Sequence, residues 1–351
     1  MITLTFPSNL ELDIVTQQYV IRREGMVGVG LMPFQDYFHE RVQWDELDFE
    51  KGLTPPHAMD ADPYVQKRPG STLREYTGIP FKAAELIKES ELLRSRQMGT
   101  LGNMINLDAI VTRRMTARID KDYLTAEYLR WLALTGSMAL NQNGVIVNET
   151  FPIQTFTSVV HWALPATSTP LHDFDAIKLL FRGTGASAQG ARAFMNQTTA
   201  NQLLENSNAA DISGFRSQNF LSLTFSIEEA NRIMGARGLP SLEVYDEGYY
   251  DANGTFQTFI PDATVIVVGK RPSGERIGEL ALVPSFHRTI NGAPAPGFFS
   301  LLTINGQPNV GAGSVSVPQL GASGNPKLEI TTGFYGGPLM FYPKSVVKMA
   351  V

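Results

Sequence analysis

The sequence predicts an α+β fold in which one long helix is a strut, a second α+β unit is inserted behind it, and the chain returns at its end to a sheet. Three observations carry this. From Asn106 to Thr135, Leu107, Val111, Met115, Ile119 and Tyr123 recur in steps of four, which lays them on one side of a helix roughly 45 Å long at about 1.5 Å per residue. Between residues 161 and 325, helical and strand patterns alternate, as in a mixed-layer domain. Val346, Val347, Met349 and Val351 are too apolar for a free tail, so the C-terminus is tied into a sheet, most economically in the domain that holds the long helix.

Residues 1–35 read as an arm. Thr3 to Phe6 has strand character, Ser8 to Glu24 keeps no period, and the apolar run Met26 to Phe34 is broken by Gly28, Gly30 and Pro33. Such a segment has apolar groups to bury and no face of its own, so it packs on another part of the chain or on another subunit. Residues 36–82 form a long two-stranded excursion. Val42, Trp44 and Leu47 sit among Arg41, Gln43, Asp45 and Glu46, Pro-rich turns crowd a polar middle, and the chain returns through Ser71 to Pro80. An isolated hairpin of this kind is marginal in water, so it must lean on something outside itself.

Residues 83–160 hold the strut, at 106–135. Arg113, Arg114, Arg118, Lys121 and Glu127 fall off its apolar stripe, solvated or bonded to a neighbour, with Arg118 and Asp122 at the i, i+4 spacing of helical ion pairs. Beyond Tyr123, Leu124, Tyr128, Leu129, Trp131, Leu132 and Leu134 spread round the circumference, so this half is covered on several sides. Asn106 or Asp108 caps the start and Gly136 closes the end. Asn143-Gly144, between Ser137–Leu140 and Val145–Val147, predicts a tight hairpin, and Thr155 to Trp162 a further strand.

Residues 161–325 hold helices at Asp173–Phe181, Ala191–Asn206 and Ile227–Arg237, the last begun by Ser226 with Glu229 three residues on. Strands are expected at Leu242–Tyr245, Phe256–Ile260, Thr264–Val268 and Glu279–Val283. Ile290 to Pro326 is rich in Gly, Pro, Ser and Asn around one apolar island, Phe298–Ile304, the pattern of a long loop. Residues 326–351 finish as strands at Lys327–Thr332 and Pro338–Val351, returning to the domain of the strut.

The 351 residues suffice for about two domains, and a hydrophobic content of 43% supplies real cores. A net charge of −5 argues against tight phosphate binding across the whole surface, leaving room for local basic patches. No cysteine occurs, which excludes disulfides, thiolate nucleophiles and cysteine zinc sites and fits a reducing cytosol. Met1 to Leu12 lacks the basic and apolar regions of a signal peptide, and no window approaches about eighteen apolar residues, so neither export nor a membrane span is expected.

Chemistry-bearing patterns are weak throughout. His39, His57, His161, His172 and His287 show no HxH, HxxxH or HExxH spacing. Ser187, in Gly185-Ala186-Ser187-Ala188-Gln189, lacks the last glycine of a nucleophile elbow. Gly183, Gly185 and Gly190 precede an expected helix without the Gly-Lys-Ser/Thr of a phosphate loop. Glu243, Asp246, Glu247, Asp251 and Asp262 gather around tyrosines, as on an exposed hairpin with charged edges. No catalytic residue, cofactor or metal ligand is therefore assigned.

Three stretches, in order, bring a family into view. Arg68-Pro69-Gly70-Ser71-Thr72-Leu73-Arg74-Glu75-Tyr76-Thr77-Gly78-Ile79-Pro80, the run from Tyr245 through Asn253-Gly254 to Phe259-Ile260-Pro261-Asp262 and Thr264–Val268, and Gly337-Pro338-Leu339-Met340 with Val346–Val351 resemble the major capsid proteins of tailed bacteriophages. The resemblance is to the phage lambda major head protein (E-type) family, whose fold is of the HK-ninety-seven type, and it runs from about Met26 to Val351 with little likeness over Ile290–Pro326. It implies an N-arm, an extended loop, a peripheral domain on the long spine helix and an inserted axial domain. It also implies hexamers and pentamers of an icosahedral shell around double-stranded DNA, contacted non-specifically, with a decoration protein, scaffold and portal as partners, a virion location, assembly in the host cytoplasm and no membrane. An extended loop unable to bury itself gains stability over a neighbouring subunit, a head-to-tail contact that generates rings. Lys67, Arg68, Arg74 and Glu75 are its candidate inter-subunit residues, and Arg74→Glu is expected to impair assembly while leaving the subunit folded. A cargo-carrying compartment shell of the same fold and a hydrolase using the 243–262 carboxylates are the competing readings.

Overall fold

A computed structural model describes residues 3–6, 26–47, 53, 54, 56, 59, 70–88, 107–206, 226–271, 274–290, 293–304, 307, 308, 313–316 and 327–351. The chain opens with β1 (Thr3–Phe6), a short helix α1 (Gly28–Leu31), β2 (Phe34–Asp36), β3 (Arg41–Leu47), β4 (Ser71–Thr77) and β5 (Ile79–Lys88). The strut is α2 (Leu107–Leu134), followed by β6 (Ser137–Gln142), β7 (Val145–Thr150) and β8 (Gln154–Thr157). Then come α3 (Pro170–Leu180), β9 (Ser187–Met195), α4 (Gln197–Leu204), α5 (Ile227–Ala236), β10 (Ser241–Val244), β11 (Gly248–Tyr250), β12 (Phe256–Thr258) and β13 (Thr264–Lys270). The chain closes with β14 (Gly278–Leu282), β15 (Ser285–Ile290), β16 (Ala293–Ala295), β17 (Phe299–Ile304), β18 (Gln307–Pro308), β19 (Gly313–Ser316), β20 (Lys327–Met340) and β21 (Val346–Ala350).

The stripe read in the sequence turns α2 to its sheet. Val111, Met115 and Ile119 are buried, while Arg113 and Lys121 on the other side are exposed. The surface beneath is a six-stranded sheet ordered β18-β17-β20-β14-β2, with β5 on the free side of β20. β20 is its spine, pairing residue for residue with β5 from Lys327↔Lys88 to Gly336↔Ile79. Gly333 lets those backbones approach, since a Cβ there would lie 2.1 Å from the Phe81 carbonyl. At the other end of α2, Asn143 (φ 50°) and Gly144 (φ 80°) form the tight turn between β6 and β7.

A second sheet runs β10-β9-β13-β21-β8 and is buried on both faces. Ala191, Ala193, Met195, Val265, Val267, Val347 and Met349 pack with the buried faces of α3, α4 and α5. Phe194, Ile266, Val268 and Val346 point the other way, into the core shared with α2 and the first sheet. Burial on both faces explains why these strands are near-continuous apolar runs.

One expectation is corrected here. Ala191–Asn206 is not one helix: residues up to Met195 form the strand β9, and only Gln197–Leu204 is helical, capped by Asn196, which accepts from Thr199 N at 2.9 Å. Alternate residues of β9 serve different cores, a period of two that overrides alanine's helical preference. The closing strands divide between the two sheets. β20 does pack on α2, but β21 pairs with β13 and β8 in the second sheet, Val347↔Val267 and Val347↔Gln154, where both its faces are covered. Ser226 caps α5 by accepting from Glu229 N at 3.3 Å.

Candidate functional site

The extended hairpin is built by alternation. In the register Val42↔Tyr76, Trp44↔Arg74 and Glu46↔Thr72, one face carries Val42, Trp44 and Tyr76, all buried in the main core, and the other carries Arg41, Gln43, Glu75 and Leu73. The root therefore leans on its own chain. Trp44 Nε1 donates to the Met340 carbonyl at 3.1 Å, and the Trp44 and Tyr76 rings meet edge to face at 5.6 Å. Further out, Leu47 and Leu73 are exposed.

Of the four loop residues singled out, Lys67 and Arg68 lie outside the described residues. Arg74 stands on the core-side face with its Nε 3.2 Å from Glu46 Oε1. Glu75 stands on the outward face, its carboxylate accepting from Arg41 at 3.3 Å and Gln43 at 2.7 Å. Both have partners in their own hairpin, and the outward pair is open to water, with side chains 73% and 42% exposed.

Behind the root lies a buried polar centre. The Glu127 carboxylate, fully buried, accepts from Gly28 N at 2.8 Å, Trp131 Nε1 at 2.9 Å, Tyr245 OH at 3.0 Å and Arg130 at 3.2 Å. Arg130 donates through Nε to the Met32 carbonyl at 2.7 Å and lies over the Phe34 ring at 4.2 Å. One ion pair thus ties the segment before the hairpin to α2 and to the loop after β10. Burial lowers the Arg130 guanidinium to about 10 against the pull of Glu127, and burial beside the Glu127 carboxylate raises the Tyr245 phenol. In the sequence, the one signal of Glu127 is a charge in the half of the helix that is apolar all round.

Nearby, Arg114 and Arg118 reach Glu85 of β5 at 2.6 and 3.5 Å. Burial raises the Asp122 carboxyl from 3.8 to about 7, with Thr332 and Arg118 pulling it down.

The acidic cluster is dispersed into structural roles. Glu243 is held by Arg192 through two bonds of 2.6 Å, Asp246 accepts from Gln197 N at 3.3 Å, Asp262 accepts from Asn196, and Asp251 caps its own turn. Gly183, Gly185 and Gly190 have positive φ, but the first two lead into the strand β9 and Gly190 lies within it, where a helix was expected. Ser187 opens that strand. His39, His161 and His172 are exposed, His287 stacks on Phe299 at 4.8 Å, and His57 lies outside the described residues. Among the described residues no group of three or more His, Asp or Glu comes together as a metal site, and no helix is long and apolar enough to cross a membrane.

Residues 22–278 match the model of a family described as phage major capsid protein E. No curated protein matches the chain. Among solved structures it is similar to a prophage protein of E. coli CFT073 assigned as a capsid protein, at a TM-score of 0.59 and 13% identity over all of both chains. It is also similar to a phage-related protein of Bordetella bronchiseptica RB50, at 0.52 and 10% over 99% of this chain and 97% of that one. The capsid of Myoviridae phage XM1 aligns at 0.50 and 11%, over 94% of each chain. At such identities the likeness speaks to the fold.

Proposed function

The chain belongs to the phage major capsid protein E family, a shell-forming capsid protein with the HK-ninety-seven-type fold, and on that premise we propose that its copies assemble as hexamers and pentamers into an icosahedral shell around the double-stranded DNA of a tailed phage. The family match over most of the chain is the observation that carries this. The role that follows is structural, in the virion capsid.

The finer assignments belong to the same proposal. Residues 1–35 act as the N-arm, 36–82 as the extended loop, 83–160 with 326–351 as the peripheral domain, and 161–325 as the axial domain, with β21 contributing to the sheet of the last. The loop crosses to a neighbouring subunit, and Lys67, Arg68, Arg74 and Glu75 take part in that contact. Support comes from the exposed Leu47 and Leu73 and from the solvent-open Arg41–Glu75 pair, since exposed ion pairs contribute little and exchange partners readily. A net charge of −5 suits a wall that touches packaged DNA without gripping it. Scaffold, portal and a decoration protein are the further partners, and the absence of cysteine fits assembly in the host cytoplasm.

Negative-stain electron microscopy of the protein, expressed alone and then with its neighbouring genes, tests the reading. Closed shells, or rings of five and six, are expected. Small monodisperse particles in both preparations would overturn it.

A further inference from the structure

β11 and β12 form a short hairpin that presents Tyr250 and Phe256, 73% and 44% exposed and packed edge to face at 5.3 Å. Its turn is preset. Asp251 accepts from Asn253 N and Thr255 N, both at 2.9 Å, and from Gln257 Nε2 at 3.3 Å. Its root is fixed as well, with Tyr249 packed on Tyr128 of α2 at 5.0 Å. Two large rings held rigidly in water are the kind of group that anchors protein interfaces, because little conformational freedom is lost when they are covered. The hairpin and its flanks are acidic in sequence: residues 238–269 include Asp246, Glu247, Asp251 and Asp262, with Glu243 paired to Arg192, and no Lys or Arg.

A complementary feature lies elsewhere on the same sheet. A cleft of about 410 Å³ is floored by Leu47, Ile153 and Leu180 and rimmed by Arg182, Tyr342 and Lys344, and no carboxylate lines it. Arg182 and Lys344 are exposed, while the Arg271 guanidinium, which lies over the Tyr342 ring at 3.5 Å, is already paired with Glu275 at 2.8 Å. The cleft is thus apolar at its base, and Arg182 and Lys344 are the exposed cations of its rim.

The two features stand at opposite corners. β10, which leads into the hairpin, is one edge of the five-stranded sheet, and β8, whose Gln154 lines the cleft, is the other. β8, β21, β9 and β10 run in the same direction, so the cleft lies at their N-terminal ends and the hairpin beyond their C-terminal ends. Within one chain the two do not meet. A contact between them therefore needs a second copy, as in a ring built head to tail, where different patches of each copy touch.

We propose that the Tyr250–Phe256 hairpin of one copy docks in the Arg182–Lys344 cleft of the next. The two rings cover the Leu47, Ile153 and Leu180 floor, and Glu247 and Asp251 face the cationic rim. The partner is a second copy of this chain in a heterologous contact, so the inference rests on the shell reading and adds the surfaces through which neighbours in a ring engage.

The absence of cysteine allows a clean test. Tyr250→Cys and Arg182→Cys are made singly and together, assembled, and treated with a short bis-maleimide. Particles of the double variant are expected to give a covalent ladder up to closed rings, a mixture of the two single variants to give dimers, and either single variant alone to give none. Arg182→Glu is expected to lower particle yield about tenfold, with partial recovery on adding Glu247→Lys. Assembled particles that give no ladder with this pair or with Phe256→Cys and Lys344→Cys overturn the docking while leaving the shell reading intact. Wild-type protein that forms neither rings nor shells overturns both.

Discussion

Glu127 shows how much one side chain can organise. With four donors around it and no solvent, its charge is the counterweight to a buried Arg130. Glu127→Ala leaves that guanidinium uncompensated and is expected to destabilise the subunit by about 3–5 kcal/mol, read from urea unfolding. Replacing both partners, Glu127→Leu with Arg130→Met, should recover much of the loss because no buried charge is then left unpaired. Asp122 makes a separate prediction about pH. Burial lifts its carboxyl from 3.8 to about 7 in the folded state, so the fold holds a proton that the unfolded chain releases. Stability from this group is complete below about pH 4, falls as pH rises towards 7 and is flat above, a span of roughly 4 kcal/mol at most. Unfolding midpoints at pH 5 and pH 8 should differ in the wild type, and Asp122→Asn should remove most of the difference; an unchanged difference would mean that other groups cause it.

Among the elements, the extended hairpin depends on its root. Trp44 is the buried plug, and Trp44→Ala should cost about 3–5 kcal/mol for the lost ring and its cavity and free the two strands from the core, seen as faster proteolysis between residues 41 and 77. What the sequence made legible was local. The stripe of α2, the Asn143-Gly144 turn, the Ser226 cap and the alternation of β3 all follow from neighbours in the chain, and each stands where it was expected. The pairing of distant segments was not legible in the same way. β9 reads as a helix because Ala and Met favour one, and only the two cores on either side of it make its period two. β21 was visibly buried, but nothing in Val346–Val351 names β13 and β8 as its neighbours. In the candidate site the hairpin strands could be read and the partners of Arg74 and Glu75 could not, because a charge declares that it needs a counterion without saying which one. Glu127 was hidden for the same reason.

At the scale of the whole molecule, a capsid subunit must be stable alone yet incomplete, and the extended hairpin is where that balance can be measured. Its two charge pairs face opposite ways. Arg74 and Glu46 lie on the core-side face, the carboxylate side chain only 10% exposed, whereas Arg41 and Glu75 lie in water on the outer face. Reversing Glu75 to Lys sets it against Arg41 at the surface, where such changes move stability by no more than about 1 kcal/mol. Reversing Arg74 to Glu sets it against Glu46 in a half-buried site and disturbs the hairpin itself. Both variants are expected to lower shell yield by electron microscopy, but only Arg74→Glu should also shift the unfolding midpoint of the isolated subunit. Normal shells from Glu75→Lys would show that the outer face of this hairpin meets no charge on a neighbour, and would leave Arg74 acting within its own subunit.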